Sequence, residues 1–249
     1  MNRIQDYSKL ESDITKWIRD YYYSNGIQSL VVGVSGGIDS AVVSTLCAKT
    51  GLPTYVVRMP LESTHQNTKL SDLHAQQLAE EYDNVTNVQV ELSSVYGSLL
   101  HSINWWSEAQ HFDKKEFTSD ELANANTKSR IRMVTLYQIA GAKKGIVVGT
   151  GNKVEDYGIG FYTKYGDGGV DIAPIADLYK TEVWELGRHL GVNERIINAK
   201  PTDGLWDDGR TDEDQIGVSY AQLEEAMEYG TGPGLETLQH FSKQTRRTT

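Results

Sequence analysis

The stretch "LVVGVSGGIDSAVV", residues 30–43, decides the fold class of this chain. Apolar residues on both sides of a glycine-rich turn predict a buried strand that leads through a tight loop into a helix. Gly36 and Gly37 let backbone N–H groups approach a ligand, and the start of a helix carries partial positive charge. The stretch therefore predicts an anion site. It matches neither the Walker phosphate loop, whose lysine is missing here, nor the dinucleotide pattern G-x-G-x-x-G.

Asp39 lies inside this loop and places a negative charge where a phosphate would bind. Two unit charges about 4 Å apart repel each other by roughly 4 kcal/mol at an effective dielectric constant near 20. A bridging Mg²⁺ removes the conflict, because Mg²⁺ takes one or two carboxylates together with phosphate oxygens. Asp39 is therefore predicted to be a magnesium ligand. The alternative is that it only caps the helix.

Length and composition limit the class of protein. The chain has 249 residues, of which 39% are hydrophobic, and we expect one domain over residues 1–249. The formal net charge of −10 disfavours nucleic acid and anionic membranes as partners. Cys47 is the only cysteine, which excludes a disulfide framework and favours a reducing compartment. The sequence shows neither a bilayer-spanning apolar stretch nor a signal-peptide core, so we expect a cytoplasmic protein.

Apolar runs alternate with stretches of helical period, which is the pattern of an α/β fold. Strands are expected over residues 29–34, 54–60, 87–92 and 145–151. Helices are expected over residues 8–26, 40–51, 66–82, 94–106, 119–143, 180–190, 212–229 and 234–243. Ser8 is expected to cap the first helix, with Glu11 three residues further on. In a parallel sheet, ligands gather at the carboxyl ends of the strands.

Polar residues follow the fourth expected strand. Thr150 and Glu155 lie at the same sheet edge as the glycine-rich loop, so Glu155 is a second candidate ligand for Mg²⁺. An ordinary surface glutamate is the alternative. The segment "FYTKYGDGGVD", residues 161–171, indicates an ordered functional loop or a lid, although its charges can also belong to structural turns. Its charged residues are Lys164, Asp167 and Asp171.

Three basic residues are further candidates. Lys180 begins an expected helix and can place a cation on phosphates, with an ordinary exposed lysine as the alternative. Arg130 and Arg132 are two residues apart on a helix. They point to different sides, so only one of them is expected to meet a ligand.

The motif S-G-G-x-D-S, residues 35–40, resembles the signature of the ATP pyrophosphatases, or PP-loop family, which release pyrophosphate from ATP. Three further motifs resemble the NAD synthetases within that family, across nearly the whole chain. They are "RIRM" (130–133), "GTGNKVEDYGIGFYTKYGDGGVDIAPIADLYKTEVW" (149–184) and "KPTDGLWD" (200–207). The resemblance implies a Rossmann-like, doubly wound parallel sheet with helices on both faces, similar to the adenine nucleotide alpha hydrolases.

The resemblance also implies a role for matching residues. Those implied to bind ATP are Gly33, Val34, Ser35, Gly36, Gly37, Ile38, Asp39, Ser40, Arg58, Gln66, Thr150, Lys180 and Thr202. Those implied to bind deamido-NAD are Asn126, Arg130, Lys164, Asp171 and Lys243; only the lysine of the family's C-terminal His-Lys pair is matched. Asp39 and Glu155 are implied to bind Mg²⁺. Asp167, Lys180 and Ser35 are implied to be catalytic, with Asp167 beside the substrate carboxylate and the incoming ammonia.

The implied reaction is the ATP-dependent amidation of deamido-NAD (nicotinic acid adenine dinucleotide) by ammonia. It passes through an acyl adenylate and yields NAD, AMP and pyrophosphate. A glutaminase domain is not expected, since the PP-loop arrives by residue 35, and Cys47 is expected in the core rather than as a nucleophile. Two alternatives remain: another adenylating PP-loop enzyme, such as an amidotransferase or a tRNA-modifying enzyme, and a module that senses nucleotides by binding ATP without chemistry.

The resemblance further implies a homodimer with deamido-NAD bound between the subunits. The expected contact is the helix over 119–143 together with the segment before it, because both are rich in apolar residues. These residues are Trp105, Trp106, Leu122, Ile131, Val134 and Ile139. The alternative is that all of them pack in the core of their own subunit.

Overall fold

A four-stranded parallel sheet forms the centre of the molecule. The computed structural model describes residues 3–62, 65–113, 115–202 and 211–248, without the side chains of 65–67 and 242–248. Strands β1 (Leu30–Gly33), β2 (Thr54–Arg58), β3 (Val85–Gln89) and β4 (Ile146–Val148) lie in the order β3-β2-β1-β4. All three pairings are parallel, as the sequence predicted. The strand order reverses between β1 and β4, and ligands bind in the crevice that such a reversal opens.

The helices cover both faces of this sheet. In chain order they are α1 (Tyr7–Ser24), α2 (Ile38–Lys49), α3 (His65–Glu81), α4 (Ser93–Ala109), α5 (Glu121–Ala142), a short π-helix (Val154–Ile159), α6 (Lys180–His189), α7 (Glu194–Ile197), α8 (Asp212–Ile216), α9 (Tyr220–Tyr229) and α10 (Leu235–Thr248). None of the helices in the described ranges is both long and apolar enough to cross a membrane.

The side chains of β1 point alternately to the two faces of the sheet, as successive side chains of a strand do. They therefore contribute to two apolar layers, one on each face. Leu30 and Val32 are buried against α1, α2 and α6. Val31 is buried on the other face against α5. Cys47 is fully buried in the first layer, and burial raises the pKa of its thiol to about 12. This confirms a core residue rather than a nucleophile.

Several boundaries differ from those expected. Asp6, not Ser8, caps α1: its carboxylate accepts a hydrogen bond of 2.9 Å from the Lys9 N–H. Helix α2 begins at Ile38, before Ser40, so Asp39 lies in its first turn. The single helix expected over 212–229 is broken at Gly217, which has the left-handed φ of 87° that favours glycine. The π-helix and α7 are too short to show a helical period in the sequence.

The start of β4 provides a test of this packing. A Cβ added at Gly145 would lie 2.1 Å from the hydroxyl oxygen of Ser29 and 2.5 Å from its carbonyl oxygen. That carbonyl already accepts the N–H of Ile146, so it cannot simply move away. Gly145→Ala is expected to lower the free energy of unfolding by about 1–3 kcal/mol, measured by urea denaturation.

Gly141→Ala is the matched control, four residues earlier on an exposed turn of α5. Its new Cβ would have no neighbour within 4 Å. Alanine is the better helix former, so this variant should be up to about 1 kcal/mol more stable than the wild type. Equal stability of the two variants would contradict the close approach at Gly145.

Candidate active site

The glycine-rich loop is held in shape by its own serines. Gly36 has a φ of 92° and turns the chain between β1 and α2. The Gly37 N–H donates to the Ser35 hydroxyl, and the Ser35 N–H donates to the Ser40 hydroxyl, both at 3.2 Å. The Ser40 hydroxyl in turn donates to the Gly37 carbonyl at 3.0 Å. The loop therefore presents a formed helix N-terminus to the cavity, which suits a phosphate.

Lys180 is the central charge of the site. Its side chain is only 2% exposed, and its ammonium lies 2.6 Å from the Asp39 carboxylate and 2.9 Å from the Glu155 carboxylate. Burial lowers the pKa of Lys180, but the charges of Asp39, Glu155 and Asp212 outweigh burial and raise it above the ordinary value. The lysine is thus a permanent cation between two acids. The alternative of an ordinary exposed lysine is wrong.

Two residues that the sequence analysis missed hold these carboxylates. The Asn152 amide, which is fully buried, donates to Asp39 at 3.0 Å, and its oxygen accepts the Glu155 N–H at 3.2 Å. The buried Tyr220 hydroxyl lies 2.7 Å from Glu155. Asn152 lies four residues after the end of β4, where functional residues gather, so its position was a usable signal. Tyr220 follows the glycine break before α9, and nothing near it in the sequence points to the site.

Asp39 and Glu155 fit the role of magnesium ligands. Both place an oxygen within 2.9 Å of one point, the Lys180 ammonium, so the two carboxylates already converge on a single cation. Burial raises the pKa of Glu155; the Lys180 charge lowers it in part and the Asp39 charge raises it again, leaving it above the ordinary value. Among the described residues, no group of three or more His, Cys, Asp or Glu could hold a metal. A site of two carboxylates completed by phosphate oxygens and water agrees with what Mg²⁺ binds.

A second network fixes the start of α6, where Lys180 lies. The Glu224 carboxylate accepts the Thr181 N–H at 2.9 Å and the Thr181 hydroxyl at 2.6 Å. Arg3 pairs with Glu224 at 3.0 Å and with Glu228 at 3.0 Å. The N-terminal segment and α9 therefore hold the helix that carries the lysine.

One cavity of about 440 Å³ unites most of the residues that the sequence analysis assigned to the site. It opens at the carboxyl ends of β1 and β4, as expected from the fold. The assigned residues that line it are Gly33, Val34, Ser35, Gly36, Gly37, Ile38, Asp39, Ser40, Asn126, Thr150, Glu155, Asp167, Lys180 and Thr202. Of the two neighbouring arginines, Arg132 lines the cavity and Arg130 does not.

Other assigned residues are not among those that line this cavity. The Arg58 guanidinium contacts Asn87 at 2.9 Å and also pairs with Asp72. The Asp171 carboxylate accepts the Val147 N–H at 2.8 Å. These contacts stabilise β2 and β4, and the ligand-binding roles of Arg58, Arg130, Lys164 and Asp171 stay predictions. The side chains of Gln66 and Lys243 lie outside the described residues.

Asp156, which also lines the cavity, has an unusual pKa. Burial raises it to about 7, and the charges of Glu155, Asp167 and Asp39 contribute to the rise. Between about pH 4 and 7 the folded protein therefore keeps a proton that the unfolded chain has lost, so this carboxyl makes the protein less stable as the pH rises.

Asp156→Asn should remove this dependence. In protein freed of metal with EDTA, the variant is expected to gain stability relative to the wild type from pH 4 to pH 7. The gain should reach a few kcal/mol, at about 1.4 kcal/mol per pKa unit, and stay constant above pH 7. Urea denaturation across this range measures the difference. A difference that does not change with pH would contradict the raised pKa.

Comparison with known proteins places this geometry in a family. The NAD synthase family model matches residues 10–246. The NH(3)-dependent NAD(+) synthetase of Finegoldia magna is 37% identical over 89% of this chain and 85% of its own length. That of Archaeoglobus fulgidus is 39% identical over 89% of this chain and 83% of its own.

Solved structures agree in fold. The NMN synthetase from Francisella tularensis superposes with a TM-score of 0.85 at 30% identity, covering 98% of this chain and 96% of that one. The NAD+ synthetase from Burkholderia pseudomallei gives 0.76 at 24% identity, covering 98% and 90%, and so shares the fold. The Rossmann-like class predicted from the sequence is confirmed. Because the family model spans nearly the whole chain and relatives above 30% identity cover most of it, the chain belongs to the NAD synthase family.

Proposed function

We propose that the chain is an ammonia-dependent NAD synthetase, a ligase that amidates deamido-NAD at the expense of ATP. The observation that carries the proposal is the convergence of Asp39 and Glu155 on one cation, beside a phosphate loop and within one cavity. A nucleotide sensor has little need for two such carboxylates. The names of the relatives favour this activity over the other PP-loop enzymes.

The chemistry follows from what a carboxylate lacks. The nicotinate carboxylate is anionic and has no good leaving group, so ammonia cannot displace an oxygen from it directly. One carboxylate oxygen first attacks the α phosphorus of ATP, and the bond to pyrophosphate breaks. Ammonia then attacks the acyl carbon of the adenylate, loses a proton, and AMP departs with the oxygen. Catalysis of both steps rests on positioning and on stabilisation of charge.

Different residues of the cavity serve different parts of this reaction. The loop from Gly33 to Ser40 holds the pyrophosphate through backbone N–H groups and serine hydroxyls. Lys180 adds a cation at the phosphates, and Thr150 and Thr202 complete ATP binding. Asp39 and Glu155 would hold Mg²⁺, which neutralises phosphate charge when bound. Asp167 either accepts a proton from the nucleophile or orients it.

A mononucleotide is the second candidate substrate. The Francisella protein, an NMN synthetase, superposes better than the Burkholderia NAD+ synthetase, with TM-scores of 0.85 and 0.76. Nicotinic acid mononucleotide carries the same carboxylate as deamido-NAD, so the proposed chemistry serves both. The two substrates differ in the adenylate half, which only the dinucleotide can place in contact with the protein.

We also propose a homodimer formed through α4 and α5. The apolar side chains of Trp105, Leu122 and Val134 are 60–69% exposed, so they do not pack in the core of their own subunit. Ile131 and Ile139 are partly buried against that core, and their part in the contact stays a prediction. A second copy of the chain is the expected partner, with deamido-NAD bound between subunits. Light scattering that found a fully active monomer would refute this.

The proposed function is tested by the products. The protein, incubated with ATP, Mg²⁺, deamido-NAD and ammonium, is expected to form AMP, pyrophosphate and NAD in equal amounts. Parallel arms replace deamido-NAD by nicotinic acid mononucleotide, and ammonium by glutamine. We expect a higher kcat/KM for the dinucleotide, little turnover with glutamine, and a rate that rises with pH as neutral ammonia increases. Formation of ADP instead of AMP would sink the proposal.

If Asp39 and Glu155 bind Mg²⁺, their substitution should reduce activity much more than stability. Asp39→Asn and Glu155→Gln are each expected to lower kcat for AMP formation at least about 100-fold, because charge stabilisation at the phosphates is lost. In each variant the other carboxylate still pairs with Lys180, so we expect the protein to stay folded, with a loss in urea denaturation below the about 3–5 kcal/mol of a fully broken buried pair. Asp13→Asn is the control, since Asp13 is an exposed carboxylate on α1. Near-wild-type turnover of either site variant would remove the assignment.

A further inference from the structure

A turn at residues 163–167 lies at the edge of the cavity and carries Asp167. The Gly166 N–H closes this turn by donating to the Thr163 carbonyl at 2.9 Å. Tyr165 has a φ of 62°, which is unusual for a residue with a side chain. Such a conformation persists only where surrounding contacts hold it.

The contacts that hold this turn come from one face of α5. Ser129 is buried, and its hydroxyl donates to the Asp167 carboxylate at 2.7 Å while it accepts the Asp167 N–H at 3.0 Å. The Thr163 N–H donates to the same carboxylate oxygen at 3.0 Å. One serine hydroxyl thus binds both the backbone and the side chain of Asp167, and two donors fix one oxygen of its carboxylate.

Two residues near Ser129 on α5, Asn126 and Arg130, form further hydrogen bonds with the turn. The Thr163 hydroxyl donates to the Asn126 side chain at 2.6 Å, and the Arg130 guanidinium donates to the Lys164 carbonyl at 3.1 Å. Ser129 and Arg130 lie three and four residues after Asn126, so both are next to it on the helix surface.

Gly166 explains how the turn comes so close to α5. A Cβ at this position would lie only 2.3 Å from the Ser129 hydroxyl oxygen. A glycine is therefore required for the serine to reach the next residue, Asp167. By contrast, the Thr127 hydroxyl on the same helix donates to the Ala123 carbonyl at 2.8 Å, a bond within α5.

We propose that Ser129 is the positioning residue for Asp167: its hydroxyl ties the turn at 163–167 to α5 and sets the orientation of the Asp167 carboxylate in the cavity. The inference rests on the proposed function for the catalytic use of Asp167. Ser129 acts through Asp167 and does not need to touch the substrate. Its loss should therefore slow the chemical step and leave ATP binding unchanged.

A double-mutant cycle tests this coupling. Ser129→Ala is expected to lower kcat about tenfold or more, with the KM for ATP within twofold of wild type, since one misplaced group costs rate rather than binding. Asp167→Ala should cost more. The double variant should be no slower than Asp167→Ala alone, because the serine has nothing left to position. Ser129→Thr, which keeps the hydroxyl, should restore most of the activity.

Thr127→Ala is the matched control, since it removes a hydroxyl from the same helix without touching the turn. It should leave kcat unchanged and combine additively with Asp167→Ala. An unchanged kcat in Ser129→Ala, or losses that multiply in the double variant, would overturn the proposal while leaving the proposed function intact.

Hydrogen exchange gives a readout that does not depend on activity. The amides of Thr163 and Asp167 should exchange at least tenfold faster in Ser129→Ala than in the wild type, whereas Thr127→Ala should show no change. Unchanged exchange would overturn the proposal. A wild-type protein that forms no AMP would count against the proposed function alone, and exchange would still decide whether Ser129 holds the turn.

Discussion

The ion pairs of Lys180 with Asp39 and Glu155 are the interactions on which the site depends. Each of these charges is costly to remove from water, and removal of one partner from a buried pair typically costs about 3–5 kcal/mol. The partners come from the first turn of α2, the π-helix and the first residue of α6. A single ammonium thus ties together three segments that are distant in sequence. Mg²⁺ carried in with ATP would neutralise the same carboxylates, so the ammonium is then expected to move towards the phosphates.

Much of this arrangement could be predicted from the sequence because its causes are local. The run of residues 30–43 determines the strand, the loop and the helix through hydrophobic pattern and glycine content. The parallel sheet then places the segment after β4 beside that loop, which is why Glu155 and Thr150 line the same cavity as the loop, as their position predicted. The magnesium interpretation of Asp39 followed from charge balance, a constraint that also acts locally.

The remaining features depend on contacts that a single sequence does not reveal. Tyr220 reaches Glu155 from a helix 65 residues further along the chain. Ser129, which directly precedes Arg130, was passed over because a serine in a helix has many structural uses. Asp6 and Ser8 are both good capping residues, so the sequence alone did not decide which of them caps α1. The side chains of Arg58 and Asp171 form hydrogen bonds with Asn87 and with the Val147 N–H. Charge alone therefore does not tell from the sequence whether such a residue lines the cavity.

The contacts of Arg3 have a consequence for synthesis on the ribosome. Arg3 emerges long before its partner Glu224, which lies 221 residues later in the chain. A domain generally folds as a unit, so these early residues wait for the later part of the chain. The start of α6 acquires its support only after α9 has left the exit tunnel. A nascent chain that stops before α9 lacks the contacts that hold the start of α6, so we expect the site to form only once α9 has been synthesised.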